Sequence, residues 1–338
     1  MIERVTTIAI DAMGGDNAPY KVLKGTEIFS KKNLNIKIIL FGDESLIKET
    51  ISSSKIKIKN FDIFHTPNNI NNNDNANTII RNRKDSSIYQ GLSYIKNNPK
   101  SGFVSAGNTG ALMILSRLLL GMIKGIDRPA ICSVIPNINN FSIMLDLGAN
   151  TTVGAKNLFQ FAIMGFSYHS LLKHNIKPKI GIINIGTEDN KGLEFLKEAN
   201  DLILNSYLKD YYIGFIEPNK ITSANCDIMI SDGYTGNIML KTAEGMSDFI
   251  TKNLKDVFVK SLKNKLAFKM IESDLKLFKD QINPEKYNGA IFMGVNGVSI
   301  KSHGSATPYA FSCALETCLN FVDNNFNQQI QKNIINSF

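Results

Sequence analysis

Six short clusters of glycine, asparagine, serine and threonine, each directly after an apolar run, carry most of the chemistry this chain can offer. They are Ala12–Asp16, Ser105–Gly110, Asp146–Asn150, Asn184–Asp189, Ser231–Asn237 and Lys301–Ser305. Glycine leaves backbone N–H groups uncovered in a turn, and a helix starting there adds partial positive charge. One such turn is ordinary. Six predict a shared rim that grips an anion or a developing oxyanion. Backbone donors and polar contacts are expected at Gly107, Asn108, Thr109 and Gly110, and at Asp232, Gly233, Thr235, Gly236 and Asn237.

Charged and polar side chains stand beside these turns. Arg81, Arg83, Lys84, Ser86 and Ser87 combine guanidinium forks, an ammonium and two hydroxyls, which suits a phosphate or phosphopantetheine group. A solvated helix face explains the same run. Lys191 follows Thr187-Glu188-Asp189 and could reach the rim from a helix start, where the helix dipole disfavours a cation. Asn237, at the start of another helix, could cap it or offer its amide to substrate. His303 suits a general acid/base, a phosphate donor or a turn residue. Asp11, Asp16, Asp146 and Asp232 could hold a divalent ion, but capping and turn roles fit them better, and no metal or cofactor is expected.

Several mechanisms are excluded by pattern. The chain has no Gly-x-Gly-x-x-Gly fingerprint, no Gly-x-x-x-x-Gly-Lys-Ser/Thr loop and no Gly-x-Ser-x-Gly elbow. None of its four histidines begins a His-x-x-x-x-Asp acyltransferase pattern. With no dedicated nucleophile evident, the chemistry reduces to anion binding, orientation and electrostatic stabilisation.

The elements that must position these residues alternate. Strands are predicted at Ile8–Asp11, Asn35–Phe41, Lys57–Phe64, Gly102–Ser105, Ala130–Ile135, Phe141–Asp146, Lys179–Ile185, Tyr211–Ile216 and Asp227–Ser231. Helices are predicted at Pro19–Lys31, from Glu44, and at Thr78–Asn97, Thr109–Ile123, Ala155–His174 and Lys191–Leu208. This rhythm predicts a mostly parallel sheet with helices on both faces, binding ligands beyond the carboxyl ends of its strands. We expect one catalytic α/β domain over residues 1–325 and a polar tail over 326–338. The Asn-rich tract Asn68–Asn77 reads as a solvated surface loop.

At 338 residues, 43% hydrophobic and 20% charged, the chain has the composition of a soluble globular protein. Its net charge of +8 favours an acidic protein or anionic lipid partner, while the lack of a nucleic-acid module or dense basic block argues against nucleic acid. No signal peptide or membrane-length span is read, so a cytoplasmic protein is expected. Cys132, Cys226, Cys313 and Cys318 lack metal-like spacing and are expected as reduced thiols. Between Leu254 and Ile282, Leu254, Phe258, Leu262, Leu266 and Met270 recur every fourth residue among lysines, with Phe268 and Ile271 adding apolar bulk. Such a basic amphipathic stretch either lies in a lipid headgroup layer or packs against the core or a partner subunit.

Taken in order, Asp11–Asp16, Ser105–Met113, Lys124–Ala130, Asn184–Asp189, Asp232–Asn237 and Lys301–Ser305 closely resemble the bacterial phosphate acyltransferases, the acyl-acyl-carrier-protein:phosphate acyltransferase (PlsX) family. The resemblance runs from Ile8 to about Cys318. It implies a Rossmann-like three-layer α/β/α sandwich related to phosphate acetyltransferases and isopropylmalate-type dehydrogenases. It also implies a homodimer that transfers a fatty acyl group from acyl carrier protein to inorganic phosphate, giving acyl-phosphate for phospholipid synthesis. On the same footing, Lys191 and Asn237 matter for activity. Residues 250–286 become a protruding arm, with Leu262, Leu266, Phe268, Met270 and Ile271 at the dimer or membrane contact. A membrane glycerol-3-phosphate acyltransferase is the implied downstream partner. Two positions depart from the family pattern: Asn17 stands where histidine is expected, and Asn68–Asn77 replaces a more acidic loop.

Overall fold

The structure, a computed structural model, describes residues 5–70, 74, 78–80, 84–172, 176–223 and 225–335. Strand β1 (Thr7–Asp11) is buried along its whole length, with Ile8 and Ile10 in one apolar core and Ala9 in a second. A strand covered on both faces needs this near-continuous apolar character. Its neighbours repeat the alternation. In β2 (Lys37–Gly42) Leu40 joins the first core and Phe41 the second; in β4 (Ser101–Ser105) Val104 and Phe103 divide likewise.

The remaining strands are β3 (Phe61–His65), β5 (Ala130–Pro136), β6 (Phe141–Leu145), β7 (Ile180–Ile183), β8 (Tyr212–Ile216), β9 (Ile228–Ile230), β10 (Ala290–Met293) and β11 (Val298–Lys301). All eleven form one sheet in the order β3-β2-β1-β4-β11-β10-β5-β6-β9-β7-β8. Helices cover both faces. The first core takes α1 (Tyr20–Lys32), α5 (Ala155–Leu172), α10 (Pro308–Asp323) and α11 (Phe326–Ile335). The second takes α3 (Ser87–Asn97) and α4 (Thr109–Leu120). Helices α2 (Glu44–Ser53) and α6 (Glu194–Leu204) complete the layers. The α/β/α sandwich with a mostly parallel sheet is therefore as the sequence reads.

The direction of the strands is not uniform, and this decides where the turns lie. β1, β2, β3, β4 and β11 are mutually parallel. β10 pairs antiparallel with both β11 and β5, and β5 pairs antiparallel with β6. β6, β9, β7 and β8 are again parallel to one another. Strands β6 to β9 thus run opposite to β1 to β4. The six turns do not share one rim: those after β1, β4 and β11 lie at one edge of the sheet, those after β6, β7 and β9 at the other.

Element boundaries also differ from the sequence reading: β3 starts at Phe61 and not Lys57, α4 ends at Leu120 and not Ile123, and β10 and β11 fall where no strand is read. The helix expected over Thr78–Asn97 restarts at Ser87, because Ser86 caps it by accepting the Tyr89 N–H at 3.3 Å. The helix expected from Lys191 begins only at Glu194. Residues 326–335 are not a free polar tail: Phe326, Ile330 and Ile334 of α11 are buried, and Phe326 packs against Phe321 and Tyr168. Cys132, Cys226 and Cys318 are buried free thiols and Cys313 is half-buried, as expected.

The chain beyond β9 leaves the body. In α7 (Gly233–Val259) only Gly233, Gly236 and Met239 are buried. It continues into α8 (Leu262–Met270), capped by Ser261, and α9 (Glu272–Ile282). Phe258 and Phe268 meet edge to face at 5.3 Å, which folds α8 back on the end of α7.

Candidate active site

At the first edge, three neighbouring strands end in a row. Ile10 pairs with Val104 and Lys301 with Ser105, so Asp11, Ser105 and Lys301 stand side by side at the ends of β1, β4 and β11. The Ser105 hydroxyl donates to Asp11 Oδ2 at 2.6 Å, and the Met13 N–H to Oδ1 at 3.1 Å. Ser87, at the start of α3, also donates to Asp11. Burial pushes the Asp11 carboxyl above its usual range, against these donors and the Lys301 charge. Lys301 Nζ donates to the carbonyls of Ala106, at 3.3 Å, and Ser302. Burial lowers its ammonium to about 8, opposed by Asp11.

The loops over this row approach closely. A Cβ on Gly14 would stand 2.5 Å from both Asp11 Oδ2 and the Gly107 nitrogen, so only glycine fits. Asp16 N–H donates to Gly304 O at 2.8 Å, joining the β1 and β11 turns. Within the β4 turn, Gly107 N–H is taken by Ser105 Oγ at 3.0 Å, and Asn108 caps α4 by accepting from Ala111 N–H at 2.8 Å. Thr109 and Gly110 are exposed in the first turn of α4, where amides have no intrahelical acceptor. They are the outward donors of this edge.

The basic run resolves in part. Arg81 and Arg83 lie outside the described residues. Lys84 is exposed, whereas Ser86 and Ser87 are buried and turned to the helix cap and to Asp11. The two serines therefore brace the site from below. His303 is exposed at the same edge; its Nδ1 meets Ser305 Oγ at 2.8 Å and accepts the Ser305 N–H at 3.3 Å, so that nitrogen serves the turn.

At the second edge, Asp146 is fully buried and takes five donors. Oδ1 accepts from the N–H groups of Ile131, Gly148 and Ala149, and Oδ2 from the backbone and side-chain amides of Asn150, all between 2.8 and 3.1 Å. Burial still leaves its carboxyl raised. Asp232 caps α7, accepting from Thr235 N–H at 2.8 Å and Thr235 Oγ1 at 2.7 Å. Gly233 N–H goes to Asn150 O and Gly236 N–H to Asp232 O. The open amides expected at Gly233, Thr235 and Gly236 are thus spent on the fold. The exposed Asn237 donates to Leu147 O at 3.0 Å, bridging the β6 and β9 turns instead of capping the helix.

Lys191 sits in the turn after β7, half exposed, its Nζ 2.7 Å from Glu188. That contact raises the ammonium and lowers the carboxyl. The turn is held from within by Lys191 N–H to Glu188 O and by Asn184 Nδ2 to Lys191 O, both at 3.1 Å. Thr187 is exposed beside it.

Leu262, Leu266, Phe268, Met270 and Ile271 are all exposed, Leu262 and Met270 at 79% and 84%. The chain's own core does not cover this stripe. Among the described residues no helix is long and apolar enough to cross a membrane.

The family model described as fatty acid synthesis protein matches residues 6–329. The chain is 36% identical over 327 residues to a phosphate acyltransferase of Rhodospirillum rubrum, covering 97% of this chain and 94% of that one. It is 39% identical over 332 residues to a phosphate acyltransferase of Coxiella burnetii, covering 97% and 96%. In fold it is similar to a phosphotransacetylase from Streptococcus pyogenes, with a TM-score of 0.64, 13% identity and 94% of each chain covered. A branched-chain phosphotransacylase from Enterococcus faecalis is similar at a TM-score of 0.59 and 12% identity, over 94% of this chain and 98% of that one.

Proposed function

As the chain belongs to the fatty acid synthesis protein family, whose relatives include phosphate acyltransferases, we propose that it transfers a long-chain fatty acyl group from acyl carrier protein to inorganic phosphate. The product is acyl-phosphate for phosphatidic acid synthesis. The whole-length family match carries this reading; the exposed amides of Thr109 and Gly110 give it a chemical footing.

In this reading a phosphate oxygen attacks the thioester carbonyl carbon directly. A C–O bond forms, the tetrahedral oxyanion collapses, and the C–S bond breaks. The carrier's thiolate leaves and takes a proton from solvent. Phosphate is already a nucleophile at neutral pH, so positioning is the main need, worth up to about 7–11 kcal/mol in ideal geometry. Each well-placed oxyanion donor adds about 3 kcal/mol. The Thr109 and Gly110 amides of the Gly107–Gly110 turn, with Lys84 and His303, are assigned to phosphate and the oxyanion.

Lys191 and Asn237 lie at the opposite edge of the sheet from that site. We assign them to the same reaction through a homodimer in which one copy's β6–β9–β7 edge faces the other's β1–β4–β11 edge. The exposed arm, with five lysines between Leu254 and Met270, is assigned to an anionic membrane surface, beside a membrane glycerol-3-phosphate acyltransferase. The net charge of +8 suits an acidic carrier protein.

The test is hydroxylamine trapping of acyl-phosphate made from acyl-carrier protein and phosphate. Trapped acyl hydroxamate that requires both substrates is the expected result. Acetyl-coenzyme A working in place of the long-chain carrier substrate points to a phosphate acetyltransferase, and no hydroxamate from either donor points to a scaffold.

A further inference from the structure

Lys301 is a cation in an unusual place. It ends a buried strand, stands in register with Ser105, and lies next but one to the buried Asp11. Its ammonium reaches two carbonyls, Ala106 O on the β4 turn and Ser302 O on its own. A lysine committed to two backbone acceptors at a strand end braces the turn above it. Here that turn is Ser105–Gly110, which presents the amides of Thr109 and Gly110.

We propose that Lys301 is the positioning residue for phosphate at this edge, holding the Gly107–Gly110 turn in place through Ala106 and supplying the positive charge that tolerates a phosphate dianion above Asp11. The assignment rests on the acyl-transfer reading above. Among the described residues, these groups face Lys301. From β1 comes Asp11, the charge that acts on it; from β4 and α3 come the hydroxyls of Ser105 and Ser87. On its own turn His303 is held by Ser305, and on β10 its pairing partner is Ala290.

Because burial brings the ammonium to about 8, phosphate binding carries its signature. The charge is present below about 8 and lost as pH rises through it. Phosphate's own ionisation is common to wild type and variants, so the difference between them isolates Lys301.

The experiment titrates inorganic phosphate into the full-length protein calorimetrically, from about pH 7 to about pH 9, for wild type, Lys301→Arg and Lys301→Met. Wild-type affinity should fall roughly tenfold across this range, as one charge is lost. Lys301→Arg, charged throughout, should hold its affinity to the alkaline end. Lys301→Met should bind about tenfold more weakly at neutral pH and respond little to pH. In steady-state assays the phosphate KM should rise in Lys301→Met more than kcat falls. Wild-type affinity and the same alkaline decline in Lys301→Met would overturn the proposal, as would a wild type that binds no phosphate. Should Lys301→Met fail to fold, the Arg variant decides alone, since an unchanged alkaline decline there also overturns it. The binding measurement needs no acyl donor. Failure of hydroxylamine trapping with this pH pattern intact would therefore discredit the transfer reaction and not Lys301.

Discussion

Asn237 Nδ2 lies 3.0 Å from the carbonyl oxygen of Leu147, ninety positions earlier in the chain. With the Gly233 N–H to Asn150 O bond, this contact ties the first turn of α7 to the Asp146–Asn150 turn at the ends of β6 and β9. Asn237 is exposed, and a lost hydrogen bond of this kind costs only about 0.5–1.5 kcal/mol. Asn237→Ala should therefore stay folded by circular dichroism, yet lose about a hundredfold or more in kcat if the amide works on substrate. Near wild-type turnover would remove it from the reaction.

Lys191 allows a cleaner separation of stability from activity. Its pair with Glu188 is exposed on both sides, and such pairs contribute little to folding. Lys191→Ala should melt within about a degree or two of wild type. Its turnover should collapse, and Lys191→Arg should recover part of it. A variant that loses activity and stability together would instead make the lysine a structural brace.

Gly236 tests the packing that holds α7 against the second edge. A Cβ there would stand 1.9 Å from the Asp146 carbonyl oxygen, a backbone atom that cannot swing aside. Gly236→Ala must push the helix start away from the Asp146 turn. We expect a loss of at least about 1–3 kcal/mol by urea denaturation, the range for overpacked sites. An unchanged midpoint would mean that this junction yields easily.

Much of this fold was legible in the chain. The β/α rhythm follows from apolar runs closed by glycine turns, and strands such as β1 and β4 fall where that pattern puts them. What the apolar runs do not encode is strand direction. The signal lay in Asn137–Asn140, a link between β5 and β6 too short for a crossover helix and held by Asn137 accepting from Asn139 and Asn140 N–H. That hairpin reverses the sheet and sends the Asn237 and Lys191 turns to the far edge. Reading composition alone also left Lys301 among the residues of its turn. Its weight appears only once the register sets it beside Ser105, a match that one residue of slip would undo. The serines of the basic run are ambiguous in the sequence for a related reason: a hydroxyl suits a phosphate or a helix cap equally well, and burial is not written in the residue type.

The arm offers a prediction free of catalysis. Leu262, Leu266 and Met270 project apolar surface among lysines and are uncovered by the chain itself. Leu262→Glu with Met270→Glu should abolish flotation with vesicles containing anionic phosphatidylglycerol. Hydroxamate formation in solution should be unaffected. Vesicle binding that survives both changes would return the stripe to a subunit contact, which sedimentation of the double variant would then reveal as dissociation.

The separation of the two edges makes the proposed dimer testable by complementation. Gly110→Pro removes one outward amide from the first turn of α4, a position in the helix where proline is tolerated. Asn237→Ala removes the amide at the other edge. In a symmetric dimer whose reaction centres each draw one edge from each copy, both homodimers are inactive. A mixed dimer, however, regains one centre built from two unaltered edges. Random mixing of equal amounts makes half the dimers mixed, so activity should recover to about a quarter of wild type, where the statistics of a twofold dimer apply. Recovery should appear only after subunit exchange, checked by differently tagged copies purified in tandem. If tandem-purified mixed dimers stay inactive, the two edges do not meet across subunits, and Lys191 and Asn237 must act apart from the Gly107–Gly110 turn.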